Sequence, residues 1–189
     1  MSTITRAMLA SITMLLLYGG IGVGHATSFP VLRFEERLER ASDVFVGSVT
    51  NVSSERRGDD PWTIVSITID EWFLHDGTLT EMGPFEVDLA FLGGSATGTA
   101  PRQVAGFPVF AVGERVLVAS YGAESIAASP LVGVTQGLWR EVNGVWRGDD
   151  GEALVVDATG RVDLARDGDP DVDAMPALRT LLRELRGSP

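Results

Sequence analysis

Apolar residues along this chain recur mostly at every second position or in short unbroken runs, and both patterns are typical of β-strands. The clearest run closes the stretch 106–120, where Val116 to Ala119 is apolar on both faces of the predicted strand. A strand without a polar face is expected inside a sheet rather than at its edge. With this central strand, the pattern predicts a set of five, whose other members are 44–52, 62–73, 85–92 and 131–139.

Glycine and polar residues predict where these strands bend and where they are interrupted. Gly47 lies inside the first strand and indicates a bulge or a sharp bend. The connections 53–61 and 93–106 are polar or rich in glycine and proline, and they are predicted to be loops. Loops as long as 93–106 in a compact domain are either functional or mobile.

The last third of the chain predicts two hairpins. Asn143-Gly144 between β-rich flanks is the signal for a two-residue type I′ turn. That register places Arg140 across from Arg147 on neighbouring strands. A second hairpin is predicted from the runs 153–157 and 161–164. Helical periodicity predicts a short helix at each end of the domain, over 31–41 and 175–186.

The first 26 residues differ from the rest of the chain in composition. Arg6 is their only charged residue, and an apolar stretch over 7–23 leads to small residues before Ala26. This pattern predicts a signal peptide, residues 1–26, cleaved after Ala26; the alternative is a retained membrane helix. A cleaved signal predicts a secreted or periplasmic protein that keeps no integral membrane segment.

Composition narrows the classes of function. The sequence has no cysteine and no lysine, which excludes disulfides, thiolate metal sites and nucleophiles of either type. The net charge of −11 argues against nucleic acid and anionic membranes as partners. It is compatible with cations, a basic protein partner, or simple solubility. No cofactor is predicted, and neither is a metal site.

Several motifs in their order resemble a known kind of secreted protein. They are Ala-Ser-Asp-Val-Phe-Val-Gly-Ser-Val at 41–49, the long strand at 62–73, and the Gly93-Gly94 loop that leads into Gly-x-Pro-x-Phe-x-x-Gly-Glu at 106–114. The order resembles uncharacterised secreted bacterial proteins whose opening is similar to the OB-fold of netrin-like and TIMP-like domains. TIMP-like inhibition uses an N-terminal cysteine to chelate the zinc of a protease, so that mechanism does not carry over to a chain without cysteine.

The pattern and the resemblance together predict an all-β fold. We expect an OB-like five-stranded barrel or twisted sheet, with C-terminal β-hairpins and a short helix at each end. Residues 27–189 would form a single β-rich domain, with an OB-like core over 41–138, a hairpin extension over 139–165 and the C-terminal helix over 175–186.

A loop-bearing β domain that lacks most catalytic side chains predicts a non-enzymatic, exported binding or interaction domain, with a protein as a possible partner. The loops at 53–61 and 93–106 are its expected contact surface. The candidate binding residues are Arg56, Arg57, Gly93, Gly94, Arg102, Arg140 and Arg147. An inhibitor of secreted proteases is an alternative that the resemblance alone suggests. The oligomeric state is not predicted.

A hydrolase is the rival class of function. His75 is the only histidine after the predicted signal peptide, and Asp70, Glu71 and Asp76 are the carboxylates near it in sequence. A single histidine without cysteine cannot build a histidine-rich zinc site, although it could join carboxylates around a cation. An exposed histidine at a strand end is the simpler interpretation, and no catalytic residue is assigned.

An acidic segment precedes the last helix. Residues 167–173 place aspartates at alternate positions, and hard oxygen ligands at such spacing can bind calcium. Counted from Asp167, however, positions six and twelve of an EF-hand loop are Val172 and Leu178 rather than glycine and glutamate. A solvated acidic linker is therefore the favoured interpretation, with calcium binding left open.

Overall fold

The computed structural model describes residues 29–80, 85–122, 127–165 and 173–187. Within these residues the chain is mostly β, with nine strands and two helices. Strands β1 to β9 are Asp43–Arg57, Asp60–His75, Thr78–Leu79, Phe85–Leu92, Arg115–Ser120, Leu138–Val142, Val145–Gly148, Ala153–Val156 and Val162–Ala165, and helices α1 and α2 are Phe34–Arg40 and Met175–Arg186.

The strands form one antiparallel sheet in the order β3-β2-β1-β5-β6-β7-β8-β9, and β4 also pairs with β2. The strands β3 and β4 share one edge of β2, where β4 pairs with its first half and β3 with its last two residues. The described sheet is open, because its terminal strands do not pair with each other. The prediction of a β-rich fold with C-terminal hairpins and a helix at each end is confirmed, whereas the described strands do not close into a barrel.

The central strand predicted from the apolar run is confirmed. The strand β5 lies between β1 and β6, and Val116 to Ala119 are completely buried. Leu117 and Ala119 belong to a core on one face of the sheet, which α1 and α2 cover. Val116 and Val118 belong to a second core on the other face. A strand with a core on each side needs apolar residues at consecutive positions.

Gly47 allows β1 and β2 to approach each other closely. The pairing between these strands changes register next to Gly47. A Cβ at this position would lie 2.6 Å from the carbonyl oxygen of Thr68 and 2.7 Å from Cγ2 of Ile67. The predicted irregularity in β1 is therefore confirmed, and its cause is contact with the neighbouring strand.

The prediction that the polar stretch 53–61 is a loop is wrong. The strand β1 continues to Arg57, and β2 begins at Asp60, so only a two-residue turn separates them. Gly58 has a φ of +63°, which fits this tight turn. The polar residues at the end of β1 are exposed, and they pair with residues 60–64 at the start of β2. Cross-strand pairing here overrides the weak β propensity of a polar sequence.

The predicted strand at 131–139 is also wrong in its first half. Leu131 forms an isolated bridge with Ser120, and residues 132–137 are a turn rather than a strand. Val134 has a φ of +72°, in the left-handed region that strands do not use. The strand β6 therefore begins at Leu138.

The C-terminal hairpins are confirmed. Asn143 and Gly144 have φ values of +54° and +81°, as a type I′ turn requires, and Arg140 pairs with Arg147 in the predicted register. The strands β8 and β9 form the second hairpin. The helix α2 matches its prediction, but α1 covers only Phe34–Arg40 of the predicted 31–41.

Some predictions concern residues outside those that the structure describes. They include the signal peptide at 1–26 and nearly all of the acidic segment at 167–173, of which only Asp173 is described. Of the two helices in the described chain, neither has the length and apolar character needed to cross a bilayer.

The turn between β8 and β9 depends on an ionised carboxylate. Oδ1 of Asp157 accepts hydrogen bonds from Oγ1 of Thr159 at 2.6 Å, from N of Thr159 at 2.8 Å and from N of Arg161 at 3.0 Å. The hydroxyl of Thr159, followed by these backbone N–H groups, lowers the pKa of Asp157 below its ordinary value of 3.8. The ionised form is thus favoured in the folded protein.

We expect Asp157→Asn to reduce the loss of stability on acidification. Because the folded-state pKa of Asp157 is lowered, its stabilising contribution is fully present above the unfolded-state pKa and is lost as pH falls through the folded-state pKa. The amide of asparagine keeps an acceptor but does not titrate. Urea unfolding between about pH 7 and about pH 2 measures this effect as a flatter acid limb. The control is Asp59→Asn, in the exposed turn after β1. If the stability of Asp157→Asn fell with pH in parallel with that of the wild type, the prediction would be contradicted.

Candidate binding groove and a histidine–aspartate cluster

A groove of about 530 Å³ lies beside the end of β4. The connection that follows β4 forms one wall, and the segment before β5 forms the other. Residues that line the groove include Thr63, Phe91, Gly94, Arg102, Phe107 and Val109. Its lining is mainly apolar, with backbone groups and a few polar side chains at the surface. Such concave, largely apolar sites are typical of ligand binding.

The first wall is the stretch 93–106, which is held by backbone hydrogen bonds between two of its own residues. N of Gly94 donates to O of Arg102 at 2.8 Å, and N of Arg102 donates back to O of Gly94 at 2.9 Å. These two hydrogen bonds make an isolated antiparallel bridge. The predicted loop is therefore a ribbon that is pinned at its base, and the groove wall has a defined shape.

Gly93 and Gly94 are required where this ribbon crosses β2. Their φ values of +111° and +119° disfavour any residue with a Cβ. A Cβ on Gly94 would also lie 2.6 Å from Oγ1 of Thr63. The hydroxyl of Thr63 donates to O of Gly93 at 3.0 Å, and N of Gly93 donates to O of Pro61 at 2.8 Å. The glycine pair thus lets the wall pack directly against the backbone of β2.

Arg102 carries the positive charge of the groove. Its Nη1 lies 2.5 Å from Oδ1 of Asp60, and both side chains are about half exposed, at 49% and 50%. An ion pair this exposed contributes at most about 1 kcal/mol to stability. Both groups therefore remain accessible to a ligand that offers a complementary charge or hydrogen bond.

The second wall presents apolar side chains to solvent on a braced backbone. Val109 is 82% exposed, and the Phe107 ring lies 6.5 Å from the Phe91 ring at an angle of 70°. Nη2 of Arg140 donates to O of Val109 at 2.8 Å, and its guanidinium lies 5.7 Å from the centre of the Phe110 ring. This wall is held from behind by Arg140.

The structure brings together some of the predicted binding residues and separates others. Gly93, Gly94 and Arg102 line the groove, while Arg140 supports its second wall and pairs with Glu114 and Asp149. The remaining three residues lie elsewhere. Arg56 and Arg57 lie on the β1–β2 hairpin, and Arg147 lies on β7, where it is the cross-strand neighbour of Arg140.

The two arginines of the β1–β2 hairpin are engaged locally. Arg56 donates to O of Gly58 at 2.6 Å and to Oδ1 of Asp59 at 3.0 Å. Arg57 pairs with Glu55, and its guanidinium lies 5.4 Å from the centre of the Trp62 ring. These contacts stabilise the exposed hairpin and do not extend into the groove lining.

A second constellation lies at the other end of β2. Nδ1 of His75 lies 3.1 Å from Oδ1 of Asp43, and the same oxygen accepts the N–H of Asp76 at 3.0 Å. Nε2 of His75 is 3.7 Å from Oδ2 of Asp76, and the ring lies 4.6 Å from that of Trp72. Asp43 itself is buried, with 4% of its surface exposed.

Sequence reasoning missed Asp43 as a partner of His75. Asp43 lies 32 residues before His75 in the chain. The antiparallel pairing of β1 with β2 brings the two ends together. No local pattern could signal this contact, because it depends on the register of two long strands.

The other carboxylates of the hydrolase hypothesis are engaged with arginines. Asp70 lies 3.2 Å from Nε of Arg115, whose Nη1 lies 2.6 Å from Oε2 of Glu141. Burial lowers the pKa of Arg115, but the hydrogen bonds to Glu141 and Asp70 outweigh burial and raise it. Glu71 pairs with Arg179. Of the three carboxylates, only Asp76 joins His75.

Comparisons with protein families, with curated proteins and with solved structures give no match to this chain.

Proposed function

We propose that this chain is an exported, non-enzymatic binding domain whose groove takes an extended, apolar segment of a protein partner. One observation carries the proposal. Val109 exposes 82% of its surface on a braced backbone, beside the aromatic pair Phe91 and Phe107. This large apolar side chain is exposed to solvent next to a concave apolar surface. Binding of a partner that covers it is favourable, because apolar surface is removed from water.

The construction of the groove favours binding without large rearrangement. One wall is pinned by the bridge between Gly94 and Arg102, and the other is held by the hydrogen bond from Arg140 to Val109. A surface that is ordered before binding loses little conformational entropy on association. The net charge of −11 adds long-range attraction for a partner with a basic surface.

The chemistry of the lining supports binding over turnover. Thr63 is the hydroxyl-bearing residue of this lining, and its hydroxyl is engaged by the carbonyl of Gly93. Arg102 supplies a positive charge and hydrogen-bond donors but no acceptor. These groups orient and hold a ligand.

The proposal also includes export of the protein and an OB-like origin of its fold. The apolar segment 1–26 supports secretion or a periplasmic location, and the motif order over 41–138 supports an OB-like origin similar to netrin-like domains. Protease inhibition remains the alternative within this class, because an exposed apolar loop that is held rigidly can occupy a protease groove.

We expect Val109→Asp to remove partner binding and Val112→Asp to preserve it. Both valines are exposed, at 82% and 66%, but only Val109 lines the groove, so each variant should fold like the wild type. A carboxylate at position 109 would have to be desolvated by an apolar ligand, which should weaken binding about tenfold or more. Affinity capture from the secreted and envelope fractions of the source, quantified by mass spectrometry for the three proteins in parallel, identifies partners that depend on Val109.

The identified partner is then titrated against each purified protein by calorimetry. A partner that binds both variants equally would contradict the groove as the binding site, provided that thermal unfolding shows both to be folded. A protease as the Val109-dependent partner would favour the inhibitor alternative. Turnover of a substrate that is lost on His75→Ala would instead favour the hydrolase class.

A further inference from the structure

We propose that Asp43, His75 and Asp76 form a binding site for a divalent transition-metal cation such as Zn²⁺. Each residue offers one ligand atom, and the three atoms lie within 4.8 Å of one another. The site is at the C-terminal end of β2, whereas the groove lies beside the start of the same strand. The proposal is therefore independent of the proposed partner binding.

The distances fit a common cation. Ligand atoms that bind one Zn²⁺ at about 2.0–2.2 Å are separated by roughly 3–4 Å. Nδ1 of His75 and Oδ1 of Asp43, at 3.1 Å, already have this separation. The side chain of Asp76 is 85% exposed and can rotate to bring its carboxylate closer. Small adjustments of one exposed side chain would complete a three-ligand site.

The burial of Asp43 is a second, independent observation. Its side chain is 5% exposed, and the only basic group within ion-pair distance of it among the described residues is His75. Oδ1 of Asp43 accepts the N–H of Asp76 and lies beside Nδ1 of His75. A carboxylate buried to this degree is costly unless a positive charge compensates for it. A cation at this point provides that charge.

The donor set selects the class of cation. An imidazole nitrogen favours Zn²⁺ and its transition-metal neighbours, and carboxylate oxygens bind any of these ions. Three protein ligands leave at least one position for water, as in open zinc sites. When the cation binds, it replaces the proton that Nδ1 and Oδ1 share in the hydrogen bond.

The surrounding backbone holds the ligands in place before binding. Asp43 is the first residue of β1 and pairs with Ser120 of β5, and the next residue, Val44, pairs with both β5 and β2. The N–H of Asp76 is bound to Asp43, and the N–H of Gly77 donates to O of Ser42 at 2.8 Å. The turn after β2 is thus tied to the beginning of β1. A cation would strengthen a connection that the fold has already made.

The Trp72 ring beside His75 provides a spectroscopic signal. Its ring lies 4.6 Å from that of His75, so a change in the charge or position of the imidazole alters its surroundings. The experiment titrates Zn²⁺, and separately Co²⁺, into the purified, untagged protein. Calorimetry gives the stoichiometry and affinity, tryptophan fluorescence reports on Trp72, and the visible bands of Co²⁺ report direct coordination.

We expect one cation per chain, and a loss of affinity of about tenfold or more in both Asp76→Asn and His75→Gln. The matched control is Asp59→Asn, which changes an exposed carboxylate in another strand-connecting turn. This control should bind like the wild type. Because Asp76 is exposed, its variant should unfold at the same temperature as the wild type without metal.

Three results would overturn the proposal. They are no binding by the wild-type protein at about 1 mM cation, unchanged affinity in Asp76→Asn and His75→Gln, or an equal loss of affinity in the control Asp59→Asn. The first result would leave the contacts among these residues as a brace for the turn after β2.

Discussion

Replacing Gly137 by alanine is expected to destabilise the protein by about 3 kcal/mol or more, at the upper end of what overpacking costs. A Cβ at this position would lie 2.2 Å from O of Ala119 and 3.1 Å from N of Val132. Both atoms belong to the backbone, so no side-chain rotation can relieve the overlap. The same atoms hold the turn against β5, since N of Ala119 donates to O of Gly137 and N of Val132 donates to O of Ala119.

Gly148→Ala is the matched control for this experiment. Gly148 also has an ordinary φ, and the atom nearest to its added Cβ is Oδ1 of Asp150, at 2.8 Å, which belongs to a movable side chain. We expect this variant to lose less than about 1 kcal/mol. Urea unfolding of both variants measures the difference. Equal stabilities would show that the turn at 132–137 yields easily and that the close approach to β5 is not required.

Trp139→Ala is expected to cost about 3–5 kcal/mol, the range for removing a large aromatic side chain from a core. Trp139 is fully buried. Its ring meets that of Phe34 edge-on, with centroids 5.5 Å apart, and lies 5.9 Å from the guanidinium of Arg37. The indole therefore joins α1 to the sheet. Its removal opens a cavity and also takes away contacts that hold the buried Arg37.

Trp62→Ala serves as the control for Trp139→Ala. Trp62 is only partly buried and its ring contacts the guanidinium of Arg57 on the exposed hairpin, so we expect a loss of about 1 kcal/mol. Denaturant midpoints, together with near-ultraviolet circular dichroism, measure both variants. If Trp139→Ala were as stable as Trp62→Ala, the packing of α1 on the sheet would not depend on the indole.

Positions 137 and 139 are close together in the chain but require side chains of opposite size. Gly137 must be small because backbone atoms of β5 lie against it, and Trp139 must be large because it fills the space below α1. A major core residue thus lies two positions after a tightly packed glycine. A pattern of apolar positions does not distinguish these two demands.

Local signals predicted the elements that depend on neighbouring residues. The turn at Asn143-Gly144 was predictable because only a few residue types adopt its left-handed backbone, and the structure has it with the expected register. The apolar run of β5 was predictable because a strand that faces a core on each side can have no polar face. The helix α2 was recognised from its single apolar face.

Predictions failed where a distant strand decides the conformation. The polar end of β1 reads as a loop, but its pairing with the start of β2 extends the strand to Arg57. Residues 131–137 read as a strand, but the contact between Gly137 and Ala119 makes them a turn beside β5. In both cases the hydrogen bonds to another segment outweigh the local preference of the chain.

The candidate sites show the same division. The sequence by itself identified Gly93, Gly94 and Arg102 as candidate binding residues, because paired glycines in a long connection stand out, and it singled out His75 by its rarity. The tertiary structure alone decided that Val109 faces the groove and that Asp43 meets His75. Composition and local pattern determine which chemical groups the chain possesses and where its strands are strongest. The distances among those groups are set by the register of paired strands, which joins residues that are far apart in the chain.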